Sequence, residues 1–395
     1  MKRRIRLLLL HVLALLARPF VRRRVETPRT ILYIKPDHLG DLLLATPVLA
    51  DLRQRFPIAT ITALVGPWSA MVLERNPNID VLLTCPFPGF ERRPPQTSRS
   101  LGVRVMALLQ PYRLLWRYAM QVRAGRYDAA LIGRDDHWWG AALAMLVGIP
   151  VRVGFAVPEC RPFLTQALPW NPHEHVTVQG LALVDALGGP RRSETAPLAQ
   201  FNPAPADRAW VAEWLRSQGV SDEQRLIVLH PGTGGPTKHW LSDRWAVVAD
   251  ALSADPTVRL LLTGGPGEEA LVEEVAAQMQ RPPLVLAGKT SVGQLAALLG
   301  HATLVLGVDS GPLHLAAAQS IPTIHLYGPG DARRFGPWGD PQQHTIIRAE
   351  LACSPCGVFS ACPRGLAQPE CMTLIGSEEV IERAQTILAN KDDNA

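Results

Sequence analysis

The sequence predicts an α/β protein of two Rossmann-like lobes, each built on a parallel, doubly wound sheet. Three observations carry this. Short apolar runs of strand character alternate with helical stretches, the alternation pauses in a Pro-rich segment and then restarts, and 395 residues suit two cores better than one. A hydrophobic fraction of 47% against 19% charged supplies apolar mass for both cores and excludes disorder over most of the length.

In the first lobe, Thr30–Lys35 reads as a buried strand that ends in Pro36-Asp37-His38-Leu39-Gly40, with a helix from Asp41 to about Phe56. Ala59–Val65, Val81–Leu83, Tyr127–Gly133 and Val151–Phe155 read as further strands, with a helix over Trp138–Val147 before the last. Gly188 to Asp207 is rich in Gly and Pro and marks the boundary. The pattern then resumes with strands at Leu226–His230, Val258–Thr263, Leu284–Ala287, Thr303–Val308 and Thr323–Tyr327, the last of the series. Between them lie helices from Asp243, capped by Ser242, from about Glu268, after a Ser291/Gln294 capping box, and near Leu313–Ala318. The organisation expected is a segment 1–29, a lobe 30–187, a linker 188–207, a lobe 208–350 and a closing segment 351–395, with the two lobes facing one another.

The net charge of +5 conceals two basic patches. Residues 1–29 carry nine Lys or Arg, including Arg22, Arg23 and Arg24, against Glu26, for a net +8. Residues 85–126 carry eight Arg (Arg92, Arg93, Arg99, Arg104, Arg113, Arg117, Arg123, Arg126) against Glu91, for +7, and the remainder is acidic. The first patch brackets the apolar run Leu7–Ala17, which is shorter than the roughly 20 residues a bilayer requires. An interfacial helix suits it best, with leucines in the lipid boundary and arginines on anionic headgroups at about 1 kcal/mol each. An ordinary packed helix and a secretory signal are the alternatives, the latter disfavoured by Arg18-Pro19-Phe20-Val21-Arg22 where a cleavage site needs small residues. A membrane surface met through residues 1–25 is therefore the expected partner, and nucleic acid is not.

Chemistry in open parallel sheets gathers beyond the carboxyl ends of strands. Three such places stand out. Gly40-Asp41 sets a carboxylate at or near a helix start, where Asp41 is either an N-cap or a general base. His230-Pro-Gly-Thr-Gly-Gly-Pro-Thr-Lys238 offers glycines, Thr233, Gly234 and the cation Lys238 to a diphosphate, or is a flexible turn with a solvated lysine; it is not the Walker pattern. Gly307-Val-Asp309-Ser310-Gly311-Pro-Leu-His314 ends a strand on an acid and a hydroxyl before a helix, with His314 either facing an anion or buried in the core.

Together these segments resemble glycosyltransferase family 9, the ADP-heptose:lipopolysaccharide heptosyltransferases. The likeness is carried by Gly40-Asp41 with Ala45-Thr46-Pro47, by His230-Pro231-Gly232, by Lys238-His239-Trp240 with Arg244-Trp245, and by Val308 to Ala318 with Pro322 and Tyr327-Gly328-Pro329. It covers residues 30–385 and is looser over 85–126. The resemblance implies a GT-B fold, a nucleotide-sugar donor held by the second lobe, an acceptor held by the first, inversion at the anomeric centre, and neither metal nor other cofactor. It makes Asp41 the base and Lys238 the diphosphate holder. Asp309 would orient donor hydroxyls or the diphosphate region, Ser310, Gly311 and His314 would complete the phosphate site, and Glu268 would contact the nucleoside. The family's acceptors are anionic lipid-linked glycans, which suits Arg113 and Arg117 beside Tyr112, Trp116 and Tyr118; a solvated helix lying on the membrane is the alternative for this segment. The working place implied is the cytoplasmic side of a bacterial inner membrane.

Cys85 and Cys160 read as small buried hydrophobes. Cys353, Cys356, Cys362 and Cys371 could hold zinc or an iron–sulfur cluster, but their gaps of five and eight residues fit no common zinc module, and reduced structural thiols are the expected state. A nucleotide-sugar epimerase of the same fold and a non-catalytic membrane scaffold are the competing functions. A dehydrogenase is disfavoured because no Gly-x-Gly-x-x-Gly follows the first strand.

Overall fold

A computed structural model of the protein describes residues 2–21, 26–90, 101–191, 193–221 and 223–392, with the backbone alone at 2, 3, 20, 101–108, 391 and 392. The expected arginines at 22–24, 92, 93 and 99, and the side chain of Arg104, lie outside the described residues. The chain divides into two compact units, Met1–Pro197 and Leu198–Ala395.

The first unit contains α1 (Lys2–Ala17), β1 (Thr30–Lys35), α2 (Leu39–Leu43), α3 (Thr46–Arg55), β2 (Thr60–Val65), β3 (Val81–Thr84), α4 (Leu101–Val122), β4 (Ala129–Ile132), α5 (Trp138–Val147), β5 (Val151–Phe155), β6 (Gln166–Leu168) and α6 (Val176–Leu187). The second contains α7 (Pro205–Ser217), β7 (Arg225–His230), α8 (Ser242–Leu252), β8 (Val258–Leu262), α9 (Glu269–Gln278), β9 (Leu284–Val285), α10 (Val292–Leu299), β10 (Leu304–Val308), α11 (Gly311–Ala317), β11 (Thr323–Tyr327), α12 (Ala332–Phe335), β12 (His344–Arg348), α13 (Glu370–Thr373) and α14 (Ser377–Asp392).

Each unit holds a six-stranded sheet, in the orders β3-β2-β1-β4-β5-β6 and β12-β11-β10-β7-β8-β9. Every described pairing is parallel. The two orders are the same arrangement read in opposite directions. In each, the chain builds three strands outward and then returns to the far side of its first strand, so the order reverses between β1 and β4 and between β7 and β10. Central strands such as Ile31–Ile34 and Ile227–Leu229 are buried apolar runs, as strands covered on both faces must be.

In the first unit, α5 is apolar all round, and Trp139–Val147 are buried without interruption. It serves as a platform: α4 and α1 both pack on it, and Trp139 Nε1 donates to Pro111 O of α4 at 2.8 Å. In the second unit, fully buried Trp245 meets Trp240 edge-to-face at 4.8 Å, beneath α14, which packs on α8.

Several expectations shift in detail. The helix expected over Asp41–Phe56 is two helices, because Pro47 is tolerated in a first turn and not inside a helix; the break at Leu44–Ala45 lets α3 begin one residue before it. Ser242 is the first residue of α8 rather than its cap, a position held by Leu241 without a side-chain bond. The series does not end at Tyr327, since β12 pairs with β11 from Thr323↔His344 to Tyr327↔Arg348. The capping box forms as expected, with Gln294 N donating to Ser291 Oγ at 3.1 Å and Ser291 N to Gln294 Oε1 at 2.9 Å.

Trp245→Ala should destabilise the second unit by about 3–5 kcal/mol, since it removes a fully buried ring whose Nε1 has no hydrogen bond to lose. Urea unfolding followed by a probe in that unit measures this, and a cost below about 1 kcal/mol would refute the packing described.

Candidate functional site

Adjacent β10, β7 and β8 bring three loops to one edge of the second sheet. The loop after β7 descends through Pro231–Gly235 into a short turn, Pro236–Lys238. Lys238 Nζ donates to the Asp309 backbone oxygen at 2.7 Å and to Asp309 Oδ2 at 3.2 Å, so an ion pair bridges the ends of β7 and β10. Thr233 Oγ1 donates to the same backbone oxygen at 3.3 Å. The Phe359 ring lies 4.8 Å from the ammonium, and Thr237 Oγ1 donates to Val358 O at 2.9 Å, so residues 358–359 wall the outer side of the turn. Gly330 makes room for the acid: a Cβ there would fall 2.5 Å from Asp309 Oδ2.

Ser310 occupies the N-cap position of α11, and its buried Oγ has no hydrogen-bond partner among the described residues. Gly311 begins the helix. With seven residues, α11 contributes little dipole, so charge at this edge rests on Lys238. His314 is buried, its ring 5.9 Å from that of His325. Gly234 is exposed in the loop.

Glu268 sits at the N-cap of α9, where Oε2 accepts from Gly265 N at 2.6 Å and lies 3.6 Å from His230 Nε2. A Cβ on Gly232 would fall 2.0 Å from that oxygen, so glycine there is what admits the carboxylate. Burial pushes His230 down to about 4, a fall that neighbouring Glu268 opposes.

In the first unit, the equivalent edge lies after β1 and β4. Asp41 is half-buried in the first turn of α2, whose N-cap position is His38, so Asp41 is not the cap of that helix. Beside it is a network that the motifs did not reveal. Buried Asp37 pairs with Lys35 Nζ at 3.1 Å and with Arg134, whose guanidinium also meets Asp136 at 2.6 Å and covers the Phe90 ring. Burial would raise the Asp37 carboxyl, but the two cations outweigh it and hold the group below the ordinary carboxylate value. Trp68 Nε1 and Ser69 Oγ donate to Asp37 O at 3.1 and 2.9 Å, which pins the backbone leading into α2. His137 is buried against Phe87 and Phe90 with neither ring nitrogen hydrogen-bonded among the described residues; burial brings it down to about 3. Arg113 and Arg117 project to solvent from α4.

Cys85, Cys160 and Cys371 are buried, Cys353 and Cys356 are exposed, and all are free thiols. No group of three or more His, Cys, Asp or Glu among the described residues is arranged to hold a metal ion.

Two doubly wound units, each with polar side chains gathered at its switch point, are the architecture of the GT-B class. The chain belongs to glycosyltransferase family 9 (heptosyltransferase), whose model matches residues 115–362, and it is a glycosyltransferase. It is 28% identical over 309 residues to lipopolysaccharide heptosyltransferase 3 of Escherichia coli, covering 76% of this chain and 84% of that one. A family 9 glycosyltransferase from Veillonella parvula superposes with a TM-score of 0.77 at 25% identity, over 93% of this chain and 100% of that one. The E. coli ADP-heptose lipopolysaccharide heptosyltransferase II shares the fold at a TM-score of 0.69 and 20% identity, over 92% and 99% of the two chains.

Because burial keeps His230 and His137 neutral in the folded chain, their stabilisation is complete above the unfolded value near 6.5 and is lost as pH falls towards 4. Each should contribute a loss of about 1 kcal/mol per pH unit in that window. Melting temperatures between pH 7.5 and 4.5 measure it; a flat profile would contradict the buried, neutral assignment.

Proposed function

We propose that the chain transfers heptose from ADP-heptose to a lipopolysaccharide core or a related anionic lipid-linked glycan, with inversion at the anomeric carbon. The observation that carries this reading is the Lys238–Asp309 pair at the switch point between β7 and β10, ringed by Thr233, Gly234, Ser310 and Gly311. A diphosphate placed there meets a cation, hydroxyls and backbone N–H groups. The similarity to the E. coli lipopolysaccharide heptosyltransferases, one of them named for ADP-heptose, supports this choice of sugar and acceptor class.

In the proposed reaction, Asp41 accepts the proton of an acceptor hydroxyl as its oxygen attacks the anomeric carbon. The bond from that carbon to the diphosphate oxygen breaks, and ADP departs with its new charge held by Lys238. Asp309 orients the donor, Glu268 meets the nucleoside, and Ser310, Gly311 and His314 complete the phosphate site. The Lys35–Asp37–Arg134 network keeps the strand-to-helix turn rigid, so that Asp41 is presented in one place. Arg113 and Arg117 meet anionic groups of the acceptor. The enzyme works at the cytoplasmic face of the inner membrane, held there through residues 1–25. No helix among the described residues is long and apolar enough to cross a membrane.

Among ADP-, UDP- and GDP-sugars, ADP-heptose should raise the melting temperature most. Lys238→Ala should abolish that protection. Asp41→Asn should keep it while lowering kcat by about 10²–10⁴. Near-wild-type turnover in Asp41→Asn, or protection by UDP- or GDP-sugars alone, would overturn the respective assignment. Reversing Arg113 and Arg117 to Glu should raise KM for the acceptor and leave donor affinity unchanged; kinetics with an unaltered acceptor KM would remove them from the acceptor site.

A further inference from the structure

Helix α4 divides cleanly into two faces. Leu115, Ala119 and Val122 are buried, towards α5. Roughly a quarter-turn round the helix from them, Leu109, Tyr112, Trp116 and Met120 are 53%, 45%, 54% and 41% exposed. Together with Arg113 and Arg117 they recur at the three- and four-residue steps that draw one stripe along a helix.

Helix α1 repeats the design on the same platform. Leu10, Ala14 and Ala17 are buried, while Ile5, Leu8, Leu9, Val12, Leu15 and Leu16 are exposed, Leu8 and Leu16 by 65% and 68%. The helices meet at the start of α5: the Arg6 guanidinium covers the Trp138 ring at 5.6 Å, and the Tyr112 ring lies 6.1 Å from it. Two apolar stripes with no partner among the described residues, flanking one buried helix, are far more exposed hydrocarbon than a water-facing surface ordinarily carries. The flanking charges are cationic: Arg4, Arg6, Arg113, Arg117 and Arg123 are exposed beside these stripes. An apolar face edged by arginine, with an aromatic residue at its centre, is the pattern that seats in the headgroup layer of an anionic bilayer.

We infer that α4 is a second membrane-seating helix, and that α1 and α4 together, braced on α5, form one lipid-binding surface of the first unit. This deepens the peripheral attachment proposed above by adding to residues 1–25 a surface built into the fold; it does not depend on which sugar is transferred. Leu109, Trp116 and Met120 enter the acyl boundary, while Arg4, Arg6 and Arg123 meet lipid phosphates and leave Arg113 and Arg117 to the anionic groups of the acceptor. A lipid-linked acceptor would then lie in the same plane as the unit proposed to receive it.

The test is flotation of the full chain with vesicles of phosphatidylcholine, with or without 30% phosphatidylglycerol. The wild type should float with the anionic vesicles, and Trp116→Glu with Met120→Glu should lower the bound fraction at least tenfold although α1 is intact. Leu8→Glu with Leu9→Glu should do likewise. Circular dichroism and the melting temperature establish that each variant is folded; should the glutamates unfold α4, Trp116→Ser with Met120→Ser probes the same face. Wild-type flotation by a folded α4 variant would overturn the inference and leave attachment to α1. So would a wild type that ignores vesicles but sediments as a dimer which Trp116→Glu dissociates, because the stripe would then belong to a second copy. Protection by ADP-heptose, measured on the same preparations, reports the sugar-transfer reading separately: its failure with flotation intact rejects that reading and not this one.

Discussion

The strand order of each sheet is the constraint on which the rest depends. A parallel sheet needs a crossover for every strand, and the return across the first strand opens a crevice between two loops that are remote in sequence. In the second unit this sets the end of β7 beside the end of β10, and Lys238 can reach Asp309 across 71 residues of chain. In the first, the ends of β1 and β4 come together, and Arg134 reaches Asp37 across 97 residues. Neither pair is a local motif. Each is produced by topology, and the polar chemistry of the chain collects where topology places it.

What could be read from the sequence follows from this distinction. Apolar strand runs, helix periodicity and the Ser291/Gln294 box are local, and they carried most of the secondary structure to within a residue or two. Glycine and proline punctuation was the ground for expecting a boundary over 188–207. Local patterns also drew attention to Asp41, Lys238, Asp309 and Glu268. The Lys35–Asp37–Arg134 network escaped, although a lysine closing a buried strand, followed by an aspartate two residues later, is a signal that such an ion pair leaves. Phe359 escaped for the opposite reason: nothing near it in the sequence speaks of the ammonium it covers. The division of the Asp41–Phe56 stretch was legible in Pro47 and was outweighed by the apolar periodicity on both sides of it.

The first unit also shows how one helix governs its neighbours. A helix buried on every side, as α5 is, has no solvent face and must be wrapped. Helices α1 and α4 wrap it with small and leucine side chains, which leaves their larger apolar residues pointing outward. The outward stripes thus follow from the inward packing, and a change to α5 would be felt on the surface as well as in the core.

Lys238 carries a further consequence. Its ammonium is already matched by the Asp309 carboxylate and backed by the Phe359 ring, so an incoming anion trades places with a resident counter-charge instead of filling an empty field. The free energy of capture is the difference between two good arrangements, and the displaced carboxylate stands ready to return. In the proposed reaction, an arrangement of this kind would hold a diphosphate without gripping it and let the spent nucleotide go.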